Sequence, residues 1–297
     1  MALRGVKPTK VEKRLKALFF GEAGSGKTTA AIQFPSPYLI DTERGATNDA
    51  YVKKLADAGG AYFFTCDFDE MVQEVTALLS DKHPYKTVII DPLTVLYNDL
   101  LDKSAKKLAT REDPSGTAFG RHKGEADRKV KHLLNLLLRL DMNVIITSHA
   151  KMMWGDGMVK LGMTYDCYAK LDYLFDLVFE VQKRGQQRVG IVKKTRHQGF
   201  PEADVFPFSY GEISSRYGAA ILEKEAKPEQ LASPEQVAEL AGMVSVLKIP
   251  QEAVDKWLDK AEAASFSEMP ADSIAKCISY CANLVVSAVK PQQKVSA

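Results

Sequence analysis

Residues 21–28 read Gly-Glu-Ala-Gly-Ser-Gly-Lys-Thr, three glycines and a lysine within eight positions. A match to G-x-x-x-x-G-K-[ST] arises by chance in a chain this long with a probability on the order of 1%. Its flanks sharpen the signal. Ala17–Phe20 is a short apolar run that enters the loop as a strand, and Thr28–Phe34 leaves it as a helix-capable segment before Pro35. Gly21, Gly24 and Gly26 let the backbone approach an anion without side-chain clash, so that N–H groups cradle phosphates. The residues expected to touch a nucleotide are therefore Gly21, Glu22, Ala23, Gly24, Ser25, Gly26, Lys27, Thr28 and Thr29. Lys27 would reach the β/γ-phosphates, and the Thr28 hydroxyl would hold Mg²⁺.

The rest of the chain alternates short apolar runs with helix-length segments. The runs are Ala17–Phe20, Tyr38–Ile40, Ala61–Phe64, Thr87–Ile90, Asn143–Thr147, Leu177–Val181 and Arg188–Val192. Between them the clearest helix is Asp127–Leu140, with Val130, Leu133, Leu134, Leu137 and Leu138 at three- and four-residue steps. Strands alternating with helices predict an α/β fold, a mainly parallel twisted sheet with helices on both faces. The short gap between Val181 and Arg188 predicts an antiparallel hairpin at one edge. Near Glu223–Ala232 the composition becomes a charged, proline-containing linker, and the remainder reads as three short helices. The first opens with Ser233-Pro-Glu-Gln236, a capping box with proline at the first helical position. The expected organisation is a basic arm over 1–15, a core over 16–222, a linker over 223–232 and a small helical domain over 233–297.

Composition excludes several classes. Forty basic against 38 acidic residues leave a net charge of +2, so any polyanion site must come from local clustering. Four cysteines without metal-ligand spacing argue against a disulfide scaffold or a zinc site, and Cys277 and Cys281, one turn apart on an apolar stripe, read as core. No apolar run reaches the length of a membrane span, and the N-terminus lacks a signal-peptide stretch, which predicts a cytoplasmic protein with no membrane partner. The first sixteen residues carry six basic side chains against Glu12 and read as a mobile basic arm.

Val88-Ile-Ile-Asp91 is a buried strand ending in a carboxylate, the Walker B form, with Asp91 placed to hold Mg²⁺ through water. Tyr38-Leu-Ile-Asp-Thr-Glu-Arg-Gly45 places Glu43 just past the strand after the glycine loop. Here the chain resembles the RecA-like recombinases, whose second strand ends in a similar I-D-T-E-G. That resemblance, over roughly residues 16–217, implies a RecA-like P-loop ATPase core in which Glu43 orients the water attacking the γ-phosphate. Leu133–Ser148 resembles the family's next helix and strand, which end in T-N-Q. This chain departs there, because Thr147-Ser-His149 puts histidine where the family's phosphate-sensing glutamine stands. Imidazole can also donate a hydrogen bond to phosphate, so His149 is the expected sensor. Arg188–Phe208 contains Lys194-Thr195-Arg196, similar to the Lys-x-Arg pair of RecA-like ring helicases and clock ATPases. The resemblance implies that Lys194 and Arg196 reach a neighbouring copy's γ-phosphate. A plain reading of the same stretch is a solvated basic strand end, since residues 183–197 hold six basic side chains and no acid.

Two long loops are expected where open α/β sheets place ligands, about Asn98–Gly124 and Ala150–Lys170. Across 103–132, nine Lys or Arg face four acids. Arg121, Lys123 and Arg128 from the first region, and Lys151, Met152, Trp154 and Lys160 from the second, are the DNA-binding candidates, through phosphate attraction and base stacking. The missing N-terminal domain and the helical tail make the chain most similar to phage-encoded RecA-like annealing and recombination ATPases, which would place it in the bacterial host cytoplasm. The expected function is an ATP- and Mg²⁺-dependent homo-oligomer, filament or ring, that acts on single-stranded DNA in recombination. Its tail would dock a partner such as single-strand-binding protein. The alternatives are a ring helicase or motor, and a nucleotide-switched adaptor that binds a protein and no DNA.

Overall fold

The computed structural model describes residues 12–45 and 49–289. Of the basic arm, Arg4, Lys7 and Lys10 fall outside the described residues. The described chain forms two compact units, one from within 1–71, 84–126 and 141–226, the other from within 72–83, 127–140 and 227–297.

The elements run β1 (Lys16–Gly21), α1 (Lys27–Ala31), β2 (Pro37–Asp41), α2 (Asp49–Asp57), β3 (Ala61–Phe64), α3 (Phe68–Ser80), β4 (Thr87–Asp91), α4 (Leu93–Leu108), α5 (Arg121–Arg139), β5 (Asn143–Trp154), β6 (Lys160–Tyr165), α6 (Leu171–Leu174), β7 (Leu177–Arg184), β8 (Gln187–Thr195), β9 (Val205–Pro207), α7 (Tyr210–Tyr217) and α8 (Ala219–Leu222). The tail adds α9 (Pro234–Val246), α10 (Gln251–Ala261) and α11 (Ala271–Val289).

The sheet of the first unit has the order β3-β2-β4-β5-β1-β7-β8-β9, with β6 paired to β5 alone. Strands β3 through β7 of that order run parallel, and β8 and β9 are antiparallel at the edge. The mainly parallel sheet with an antiparallel hairpin at one edge is the α/β architecture that the sequence predicts. Every residue of β1 is buried, as expected for a central strand covered on both faces. One face packs Phe19, Ile89, Ile145 and Phe179 with Ala30, Ala31 and Phe34 around α1, and with Ile213 of α7. Phe179 lies 5.8 Å from Phe19 and 5.2 Å from both Phe200 and Phe206, an aromatic cluster that joins β1, β7 and β9. On the opposite side α4 is tied to β5 through the Thr94 and Ser148 hydroxyls, 3.0 Å apart.

In the second unit the tail helices close on Leu240, Ala261, Met269, Ile274 and Cys281. Both halves of the capping box form: Ser233 Oγ accepts from Gln236 N at 3.3 Å, and Gln236 Oε1 accepts from Ser233 N at 3.0 Å. His132 and Arg139 of α5 pair with Glu268 and Glu229 at 3.3 and 3.0 Å within this unit. All four cysteines are free.

Three expectations need correction. Residues 98–124 are not a long loop. Leu93, Leu96, Tyr97 and Leu100 recur at helical spacing and are buried, so α4 continues to Leu108. The short connection that follows is held by Asp113, whose carboxylate accepts from Ser115 Oγ, Gly116 N and Ala118 N at 2.7, 3.1 and 3.0 Å. Residues 150–170 are not a loop either, because β5 runs on past the sheet edge and folds back through β6 as a hairpin. Nor do the last residues of the basic arm stand free. Arg14 is buried, pairs with Asp141 at 2.9 Å and donates to the carbonyls of Ile221, Lys224 and Glu225, while Lys16 is the first residue of β1.

Candidate nucleotide site

The glycine loop begins where β1 ends, at Gly21, which stands in register with His149 of β5. Gly21 has no room for a side chain: a Cβ there would sit 2.2 Å from the Val181 carbonyl oxygen. Gly24 and Gly26 adopt φ of +69° and +101°, a region that side chains penalise, so the sequence fixes this turn by leaving Cβ atoms out. The ammonium of Lys27 folds into the loop and donates to the Gly21 and Glu22 carbonyls at 2.9 and 3.0 Å. Burial holds its pKa below the usual lysine value, with Asp91 and Glu43 pulling the other way.

Asp91 closes β4 beside it. Its Oδ2 accepts from Thr28 Oγ1 at 2.7 Å and its Oδ1 from Thr147 Oγ1. Burial raises the Asp91 carboxyl above its ordinary value, and the two hydroxyls and Lys27 counter that rise. A hydroxyl and a carboxylate this close are hard oxygen donors suited to Mg²⁺, an ion that takes few protein ligands and completes its shell with water and phosphate oxygens. The donor set therefore fits Mg²⁺ held by Thr28 and Asp91. Among the described residues no group of three or more acidic, His or Cys side chains is arranged for a metal.

Glu43 sits on the loop after β2, where its N–H donates to Asp41 Oδ1 at 2.9 Å. Its Oε1 lies 3.0 Å from His149 Nε2, and both side chains are about half exposed. The His149 backbone is pinned by its N–H to Thr94 Oγ1 at 3.0 Å. Lys27, Thr28, Asp41, Glu43, Asp91 and His149 line one cavity of about 190 Å³ with Ala23 and Gly24. The sequence singled out five of these six side chains, all but Asp41. It also missed Thr147 and Tyr51. Tyr51 lines the same cavity, and its hydroxyl accepts from Thr29 Oγ1 at 3.4 Å. Tyr51 gives no sequence signal because it lies on α2, away from any motif.

Lys194 and Arg196 lie elsewhere. Strand register sets Thr195 against Leu177, and Leu177 against Ala17, four residues before Gly21. At about 3.3 Å per residue the Lys-x-Arg pair is displaced from its own glycine loop by at least about 13 Å. Lys194 Nζ donates to the Asp172 and Phe175 carbonyls, the latter at 2.7 Å. Arg196 pairs with Asp176 at 3.2 Å, donates to the Tyr173 carbonyl at 2.9 Å and remains half exposed.

Of the DNA-binding candidates, Lys151, Met152, Trp154 and Lys160 come together on the β5–β6 hairpin. Lys151 pairs with Asp166 at 3.0 Å, and the Lys160 ammonium lies 5.7 Å from the centre of the Trp154 ring. Arg121 and Lys123 are exposed at the start of α5, and Arg128 is exposed in the segment 127–140 that belongs to the second unit.

No curated protein matches the chain. Among solved structures it is similar to the RadB recombinase, at 17% identity and a TM-score of 0.40, over 64% of this chain and 84% of that one. No helix among the described residues is long and apolar enough to cross a membrane. The profile of the AAA domain family matches residues 13–199, well over half of the chain, from just before β1 to past Arg196. The glycine loop, Glu43, Asp91, His149 and the Lys-x-Arg pair all fall within the match, and the chain belongs to the AAA domain family.

Proposed function

We propose that this protein is an ATPase that binds ATP with Mg²⁺ at Gly21–Thr29, hydrolyses it between adjacent copies, and uses the cycle to control binding to single-stranded DNA. The observation that carries the reading is one small cavity into which β1, β2, β4 and β5 deliver Lys27, Thr28, Glu43, Asp91 and His149. When bound, Mg²⁺ would neutralise charge on the phosphates, and Thr28 and Asp91 are the residues to hold it. A phosphate entering the loop competes with the Gly21 and Glu22 carbonyls for the Lys27 ammonium, exchanging neutral acceptors for a charged one. It also competes with Glu43 for His149 Nε2. Releasing that contact frees the Glu43 carboxylate to orient a water, so that γ-phosphate arrival and base readiness are one event.

The trans part of the reading rests on the placement of Lys194 and Arg196. They cannot serve their own glycine loop, and a head-to-tail contact is the arrangement that brings one sheet edge to the other edge of the next copy. Lys27→Ala tests the site: turnover and nucleotide binding should both be lost, and unchanged turnover would remove the assignment.

A second reading has its own observation. The β5–β6 hairpin exposes Met153, Trp154, Met158, Val159 and Leu161, the last four by more than half, which suits a protein surface as well as stacked bases. On that reading the protein is a nucleotide-switched adaptor. Salt-sensitive oligonucleotide binding in the presence of ATP separates the two, because only phosphate contacts release counterions.

A further inference from the structure

The turn between β7 and β8 brings two basic side chains to the glycine loop of the same chain. The Arg188 stem lies flat on Gly26: a Cβ built there would meet Arg188 Cδ and Nε at 3.3 Å and Cγ at 3.4 Å. Gly26 is therefore the position where the loop opens onto this arginine. Arg188 is fixed at its backbone, since its carbonyl accepts from Phe208 N at 2.8 Å. Lys183 stands directly opposite it in the β7–β8 ladder and lines a cavity of about 370 Å³ with Gly21, Glu22, Ala23 and Ser25.

Two cations directly opposite one another on antiparallel strands repel. Among the described residues neither side chain has an ion pair or a hydrogen bond to an acid, and the nearby Arg184 is engaged with the Gln182 side chain at 3.2–3.3 Å. The acid of this region, Glu180, is taken by Lys193 and Gln182 at 3.3 and 2.6 Å. A like-charged pair left without an acid beside a phosphate loop is a place for an anion.

We propose that Arg188, with Lys183 behind it, clamps the phosphate chain of the nucleotide held by its own glycine loop, from the side of the loop away from Asp91. This rests on the nucleotide reading above and adds to it a cis contact. Strand β8 then carries basic groups at both ends, Arg188 toward its own nucleotide and Lys194 and Arg196 at the far edge.

The test is equilibrium binding of a fluorescent non-hydrolysable ATP analogue to the full chain, without DNA, over a range of salt. Arg188→Met keeps the aliphatic stem against Gly26 and removes the charge. It should weaken binding by about tenfold or more and flatten the salt dependence, and Arg188→Lys should recover part of the loss. Lys183→Met should weaken binding in the same direction, and it supplies the readout if Arg188→Met does not fold. Wild-type affinity in Arg188→Met, with binding lost in Lys27→Ala, overturns the clamp and leaves the glycine-loop site standing. A loss in Arg188→Ala that Arg188→Met restores fully also overturns it, because packing alone then explains the effect. No binding by the wild-type protein would instead sink the nucleotide reading itself.

Discussion

Single residues in this protein are asked to do opposed things. On the proposed reading Glu43 must be available to a water, and yet it is held 3.0 Å from His149. Replacing it by Gln keeps the hydrogen bond and removes the base, so turnover should fall by roughly 10²–10⁴-fold, measured under saturating ATP, with nucleotide affinity nearly unchanged. A matching loss of affinity would show that Glu43 binds rather than activates. Lys16 poses a different problem. It is buried at the start of β1, donates to the Met142 carbonyl at 3.1 Å, and burial lowers its pKa to about 7, against the pull of Asp141 and Asp176 and with Arg14 adding to the fall. The unfolded chain keeps that proton up to about 10.5. The unfolded state thus binds more protons between those values, so stability should rise with pH from about 7 toward 10, by up to about 1.4 kcal/mol per pH unit from this group. Urea midpoints of wild type and Lys16→Met across that range check it: the variant should lose the slope, and an identical slope in both would remove Lys16 as its source. The sequence marked Lys16 only as part of a basic arm, because nothing local says that a lysine leads a strand buried on both faces.

At the scale of elements, what could be read in advance followed from local rules. All seven apolar runs became strands, the β7–β8 hairpin formed at the expected turn, and the Ser233 box capped α9. Each of these is set by residues within a few positions of one another. The elements that were missed depend on partners far along the chain. Strand β9 is three residues long and exists because β8 offers it an edge, and β6 exists because β5 overruns the sheet. The basic side chains of 98–124 disguised a helix, since Lys103, Lys106 and Lys107 are the solvent face of α4. The hairpin carries this scale's prediction. Trp154, 53% exposed beneath Lys160, is the aromatic platform of the DNA reading. Trp154→Ala should weaken binding of a labelled single-stranded oligonucleotide in anisotropy by about 1–3 kcal/mol, with ATPase activity in the absence of DNA unaffected. Unaltered DNA binding would move the hairpin to the adaptor reading.

For the whole molecule, the arrangement of the first unit's sheet decides more than any motif. The glycine loop opens at the carboxyl ends of the parallel strands, while the antiparallel return of β8 carries Lys194 and Arg196 to the other edge. The motif spacing alone could not give this separation, because it comes from strand direction. On the proposed reading it makes hydrolysis depend on assembly, since the cations of one copy would complete the site of the next. An arginine supplied in this way contributes on the order of 10³-fold or more to turnover.

Mixing two inactive proteins, Glu43→Gln and Arg196→Ala, tests that dependence most directly. The first keeps its Lys-x-Arg edge and the second keeps its nucleotide cavity, so about a quarter of the interfaces in a random one-to-one mixture are intact in both parts. ATP turnover in the mixture should rise well above that of either protein alone. Turnover equal to the average of the two, at concentrations where wild-type protein is active, would contradict a site shared between neighbouring copies.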